Sequence, residues 1–123
     1  MEYITADKYL IAKGINLSIE LQDNDNKSHK VDRFIKEVTD WCYDYLISRY
    51  LPEDLIDFDN LSEARKERFQ KGVIEQIEYI LNNGWINKDS GVQSAIGVIL
   101  DYSKIVLSPN AKQNFFLAGF CNI

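Results

Sequence analysis

Ser28–Tyr50 reads SHKVDRFIKEVTDWCYDYLISRY, the longest unbroken helical signal in the chain. Its apolar residues are Val31, Phe34, Ile35, Val38, Trp41, Cys42, Tyr45 and Leu46. They recur at three- and four-residue intervals, which places them on one stripe of an α-helix. Lys30, Asp32, Arg33, Lys36, Glu37, Asp40 and Asp44 take the other side, the pattern of a solvated face. Ser28 suits the N-cap, because its hydroxyl can accept from an amide that lacks an intrahelical partner. Pro52 ends the run, since it has no amide donor and biases Leu51 away from helical geometry. The rest of the chain is expected to pack around this helix.

Towards the N-terminus, Gln22–Lys27 (QDNDNK) is a polar loop whose Asn and Asp side chains favour turns. Ile15–Leu21 alternates like a strand, yet a helical turn from Asn16 serves the same residues equally well. Thr5 can cap a short helix over 6–13, with Tyr9, Leu10 and Ile11 as its apolar side and Gly14 closing it.

Towards the C-terminus, Leu51–Leu61 (LPEDLIDFDNL) reads as an acidic, irregular crossing with Leu55, Ile56 and Phe58 tucked inward. Ser62 starts a second long helix, SEARKERFQKGVIEQIEYILNNG, with Phe69, Val73, Ile77, Ile80 and Leu81 as its stripe and Ile74 alongside. Gly84 stops it, because glycine takes the left-handed closing position without steric cost. Gly72 costs that helix about 1 kcal/mol relative to Ala, which suggests a close approach by the other long helix. Trp85–Ser94 is turn-rich. Ala95–Leu107 is β-branched and apolar around a polar break, so a β-hairpin is expected with strands at Ile96–Leu100 and Ile105–Leu107. Such a ribbon is marginal alone and should lean on the helices or on a neighbouring subunit. Ser108 followed by Pro109 starts a last short helix that Gly119 closes. Its Phe115, Phe116, Leu117 and Phe120 must be buried in the chain's own core or in a partner. The fold class read from these signals is mainly α: one domain over 1–123, a small helical bundle with two long antiparallel helices, two short helices and a short β-hairpin.

The chain is 123 residues long, enough for one core. Fourteen Lys and Arg face nineteen Asp and Glu, a net charge of −5 without a basic cluster, so the footprint of a nucleic-acid grip is missing. Fifteen aromatic residues hint at self-association. Met1–Leu21 carries charges throughout and does not read as a signal peptide, and no window is apolar enough to suggest a membrane span. Cys42 and Cys121 lie far apart, so a reduced, intracellular protein without a disulfide framework is expected.

Signals for chemistry are weak. His29 is the single histidine and reads as a surface residue. Cys42 has no histidine at a readable spacing, the serines lack a nucleophile-elbow context, and the glycines do not form a phosphate-cradling loop. Asp23-Asn24-Asp25-Asn26-Lys27 opens like a calcium loop, but lacks its glycine and its terminal glutamate. No enzyme, cofactor or metal is expected.

Four stretches, taken in order, resemble the head–tail connector (adaptor) proteins of tailed bacteriophages. They are Tyr3-Ile4-Thr5 leading into a short helix, YLISRY at Tyr45–Tyr50, EYILNNG at Glu78–Gly84, and LSPNAKQNFFLAGF at Leu107–Phe120. The resemblance implies a virion assembly part at the head–tail junction, made in the host cytoplasm. It implies a ring of about a dozen copies beneath the portal protein, closed by repeated heterologous contacts. That ring would extend the DNA channel, pass DNA without sequence-specific binding, support a neck (stopper) or tail-completion protein, and involve no membrane. The subunit and portal interface is then expected at Ile96, Val98, Ile99, Leu100, Tyr102, Ile105 and Val106 on the ribbon, and at Phe115, Phe116 and Phe120 on the last helix. A small helical regulatory or partner-binding domain, acting as monomer or dimer, is the alternative.

Overall fold

The computed structural model describes residues 1–50, 53–87 and 99–120. Five α-helices carry the described architecture: α1 (Ala6–Lys13), α2 (Leu17–Glu20), α3 (Lys30–Tyr50), α4 (Glu63–Asn83) and α5 (Pro109–Leu117). Tight 3₁₀ turns at Asn24–Asn26 and Glu53–Asn60 lead into the two long helices. The chain is mainly helical, as its periodicity indicates.

Several helix ends form as their residues dictate. Thr5 Oγ1 accepts from the Lys8 amide and Gly14 takes the left-handed position after α1. Ser62 Oγ accepts from the Arg65 amide, and Gly84 closes α4 at φ 68°. Ser108 Oγ accepts from the amides of Asn110 and Ala111, with Pro109 at the first helical position. Over Ile15–Leu21 the helical alternative prevails: Asn16 Oδ1 accepts from the Ser18 amide and starts α2.

The start of α3 differs. Ser28 is not its cap, because the helix begins at Lys30. Asp23 instead reaches forward, its Oδ2 accepting from the Lys30 amide and its Oδ1 from the amide and hydroxyl of Ser28. Asn26 Oδ1 accepts from the Val31 amide. The QDNDNK loop is thus a capping device that folds back onto the first amides of α3, which a spacing rule built on the nearest Ser cannot reveal.

The two long helices share the centre of the bundle: α3 packs on α1, α2, α4 and both 3₁₀ segments, as its length and stripe suggest, and α4 packs on α3 and α5. One side of α4 receives α1, through Lys8 bonded to Glu67 and Gln70 and Lys13 bonded to Glu75 and Glu78. Another receives α5, through Arg65 to Ala118, Arg68 to Asn114 and Gln76 to Ser108. Between them Phe69, Val73, Ile77 and Ile80 are buried towards the rest of the core with Val31, Phe34, Ile35, Val38, Cys42 and Leu46 of α3. The start of α3 (Lys30) shares a groove with the end of α4 (Gly84, Ile86, Asn87), so the two long helices run in opposite directions. The order of its contacts makes α5 antiparallel to α4, while α1 runs parallel to it.

Gly72 makes room for α5, not for the other long helix, α3. A Cβ there would come within 2.7 and 2.8 Å of Cδ1 and Cζ of Phe115. Phe69 anchors the aromatic cluster around this contact, with ring centroids 5.2 Å from Phe58, 5.5 Å from Phe115 and 6.1 Å from Phe120. In the 53–60 crossing Leu55 and Phe58 are buried as expected, but Ile56 is exposed.

The expected β-hairpin is not formed among the described residues. Leu100 makes a single antiparallel bridge with Ile86, backed by Asn87 N–H to Ile99 O (2.7 Å) and Asp101 N–H to Trp85 O (3.0 Å). Residues 102–104 turn, and Ile105–Leu107 run on to α5 as irregular backbone. Ile96 and Val98, expected in the first strand, lie outside the described residues.

Candidate interaction surface

The residues proposed from sequence as an interface separate into two groups. Ile99, Leu100, Ile105, Phe115 and Phe120 are buried in the chain's own core. Their apolar area is already removed from water within the chain, so as placed they offer no surface to a neighbour. Tyr102, Val106 and Phe116 remain exposed, and Leu117 joins them at 56% exposure. On α5 the periodicity explains the division. Ala111, Phe115 and Ala118 share the inward stripe, while Gln113, Phe116 and Leu117 point away from α4.

Two polar residues that spacing assigned no role hold this region in place. Gln76 is fully buried on α4. Its Nε2 donates to Val106 O at 2.9 Å and its Oε1 accepts from the Ser108 amide at 2.7 Å. It therefore substitutes for the missing strand partner of 105–108 and fixes where α5 starts. Glu37, read as part of a solvated face, accepts instead from the amides of Ile99 (3.0 Å) and Leu100 (3.2 Å). The Tyr102 hydroxyl also leans on it at 3.5 Å. Burial first, and then the Glu37 carboxylate, push the Tyr102 phenol up to about 12. The one available hint in the sequence was that both side chains sit next to an apolar stripe, where a polar group can satisfy backbone from another element.

At the opposite end Arg65 performs a similar service. Its Nε donates to Ala118 O at 2.9 Å, its Nη2 pairs with Asp54 at 3.0 Å, and its guanidinium lies 4.8 Å from the Phe120 ring centroid. The crossing, the start of α4 and the end of α5 are joined by this one side chain.

Burial pushes the Cys42 thiol well above its ordinary value, which leaves it a small hydrophobe. Tyr9 is fully buried and its hydroxyl has no hydrogen-bond partner among the described residues. Burial, followed by the carboxylates of Glu78, Glu75 and Glu20, keeps that phenol protonated. Among the described residues no group of His, Cys, Asp and Glu is placed to hold a metal ion, and none of their helices is long and apolar enough to cross a membrane. His29 is a surface residue beside Asp32. The groove beside Lys30 and Gly84 encloses about 220 Å³, and two shallower, open concavities lie beside residues 16–25 and beside residues 53–65. No protein-family model, curated protein or solved structure matches the chain.

Proposed function

We propose that this chain is a head–tail connector (adaptor) protein of a tailed bacteriophage, an assembly part that forms a ring of about a dozen copies beneath the portal. The ring extends the DNA channel and supports a neck or tail-completion protein. The observation that carries the reading is the outward face of α5. Phe116 and Leu117 stand about half exposed, at 49% and 56%. A short terminal helix that already buries Phe115 and Phe120 has no need of two further large apolar residues for its own packing; on the surface they serve as anchors for another chain. The four stretches resembling connector proteins add to this, the last of them being the Ser108–Phe120 element itself. The acidic balance suits a channel through which DNA slides, since a basic lining would hold phosphate.

The alternative, a small protein-binding domain acting as monomer or dimer, draws on the small groove between the start of α3 and the end of α4. Electron microscopy of the purified chain mixed with portal rings separates the two. The connector reading expects a second ring stacked coaxially on the portal. Bare portal rings at saturating chain concentration would contradict it.

A further inference from the structure

The ring reading leaves open which two surfaces meet, and the packing around α4 supplies an answer. Helical geometry places Arg65, Arg68, Gly72 and Gln76, the residues facing α5, well over a right angle around the axis from Glu67, Gln70, Glu75 and Glu78, the residues facing α1. The outer faces of α1 and α5 therefore look away from each other on different flanks of the molecule. Each carries apolar residues that the bundle does not use. On α1 the inward residue is Tyr9, while Leu10 is 42% exposed and Ile11 is 87% exposed; Ile19 on α2 is 71% exposed. On the α5 flank stand Phe116 and Leu117.

The charges beside these residues differ in sign. Asp7 stands one turn before Ile11 and Glu20 follows Ile19, and neither has an ion-pair partner among the described residues. Lys8 and Lys13, the cations of α1, are turned inward onto α4. On the other flank Lys112 stands one turn before Phe116, while Lys104, the other lysine after Tyr102, is paired with Asp101 at 3.7 Å. An apolar flank edged with the carboxylates of Asp7 and Glu20 thus faces outward on one side, and an apolar flank edged with Lys112 on another. Neither is self-complementary in charge, so a two-fold contact of either flank with itself would bring like charges together.

We propose that the α1–α2 flank of one copy docks on the α5 flank of the next, with Ile11 and Ile19 against Phe116 and Leu117, and Asp7 or Glu20 against Lys112. The occupant of each surface is a second copy of this chain, joined head to tail. Such a joint is heterologous, leaves one free flank at each end of any open chain, and closes only by forming a ring. The inference rests on the ring reading, and it specifies the joint from which the ring is built.

Two single substitutions at exposed positions test it, Ile11→Asp and Phe116→Asp, each first checked for wild-type helicity by circular dichroism. Amide spectra of the wild-type chain recorded over a concentration series should show shifts on both flanks. Either variant alone should lose those shifts and run as a monomer in sedimentation. An equimolar mixture of the two should form a species of twice the monomer mass and nothing larger, because it retains one intact flank of each kind. Lys112→Glu should weaken association of the wild type, and combining it with Asp7→Lys and Glu20→Lys should restore it. Shifts on one flank only, unchanged association of either variant, or a mixture that stays monomeric would overturn the joint. A wild-type ring that survives both substitutions would discard the joint and leave the connector reading standing. Open polymers that use both flanks yet never close would retain the joint and discard the connector reading.

Discussion

At the scale of single residues, the fold depends on side chains that satisfy backbone belonging to another element. Gln76 is the strongest case, since its buried amide bonds both Val106 O and the Ser108 amide. Replacing it with Leu leaves a buried donor and a buried acceptor unpaired, each worth about 1–3 kcal/mol. Gln76→Leu is therefore expected to lower unfolding stability in urea by about 2–4 kcal/mol. A loss under about 0.5 kcal/mol would show that 105–108 is held by other means. Gly72 makes the opposite kind of demand, for emptiness. Ala at that position gains about 1 kcal/mol of helix propensity, but its methyl group enters the space of the Phe115 ring. Overpacking of this sort costs about 1–3 kcal/mol. Gly72→Ala is expected to destabilise the protein on balance, with the near-ultraviolet signal of the Phe cluster altered; a more stable variant would mean that α5 moves away freely. Sequence alone announced that Gly72 was unusual, but not which element came close, because the approaching residue lies 43 positions further on in a helix of unknown placement.

At the scale of elements, what could be read and what could not follow one physical line. Both long helices, their apolar stripes, and the caps at Thr5, Ser62, Gly84 and Ser108 were legible, since each depends on residues within a turn or two. The cap of α3 was not, because Asp23 reaches across seven residues to Lys30. Nor was the irregular 99–107 segment. Its β-branched composition signals an extended backbone in need of partners, and the sequence cannot say that a carboxylate on α3 and an amide on α4 supply them in place of a second strand. The Asp23 cap also has a pH signature. Burial raises its pKa, but the amides of Lys30 and Ser28 and the Ser28 hydroxyl outweigh it, so the carboxyl sits below its ordinary value. A folded-state pKa below the unfolded one gives stability that is present above the unfolded value and disappears as pH falls through the folded one. Unfolding free energy is expected to decline below about pH 4, the ordinary carboxylate range. Asp23→Asn should lose about 1 kcal/mol at neutral pH and flatten that acid decline. An unchanged slope in urea titrations across this range would place the acid sensitivity elsewhere.

At the scale of the molecule, α3 and α4 share the core, and the bundle leaves large apolar residues outside on α1 and α2 (Leu10, Ile11, Ile19), on α5 (Phe116, Leu117) and at Ile56 and Val106. The sequence-based interface mixed true surface with core: Phe116, Val106 and Tyr102 are exposed, while Phe115, Phe120, Ile99, Leu100 and Ile105 build the monomer. Apolar character alone did not separate them, because a core residue and an anchor differ only in what already covers them. The separation matters for function, as it leaves a folded monomer with surplus apolar surface rather than a core waiting to be completed by a partner. Such a chain is expected to be stable alone and to assemble without refolding.

Native mass spectrometry over a rising concentration series, with and without a portal protein, tests this account most directly. The connector account predicts a stable monomer that gives way to one closed species of about a dozen copies, alone or on the portal, without a ladder of persistent intermediates. A chain that remains monomeric at every concentration and ignores the portal, or that stops at a tight dimer, would contradict it.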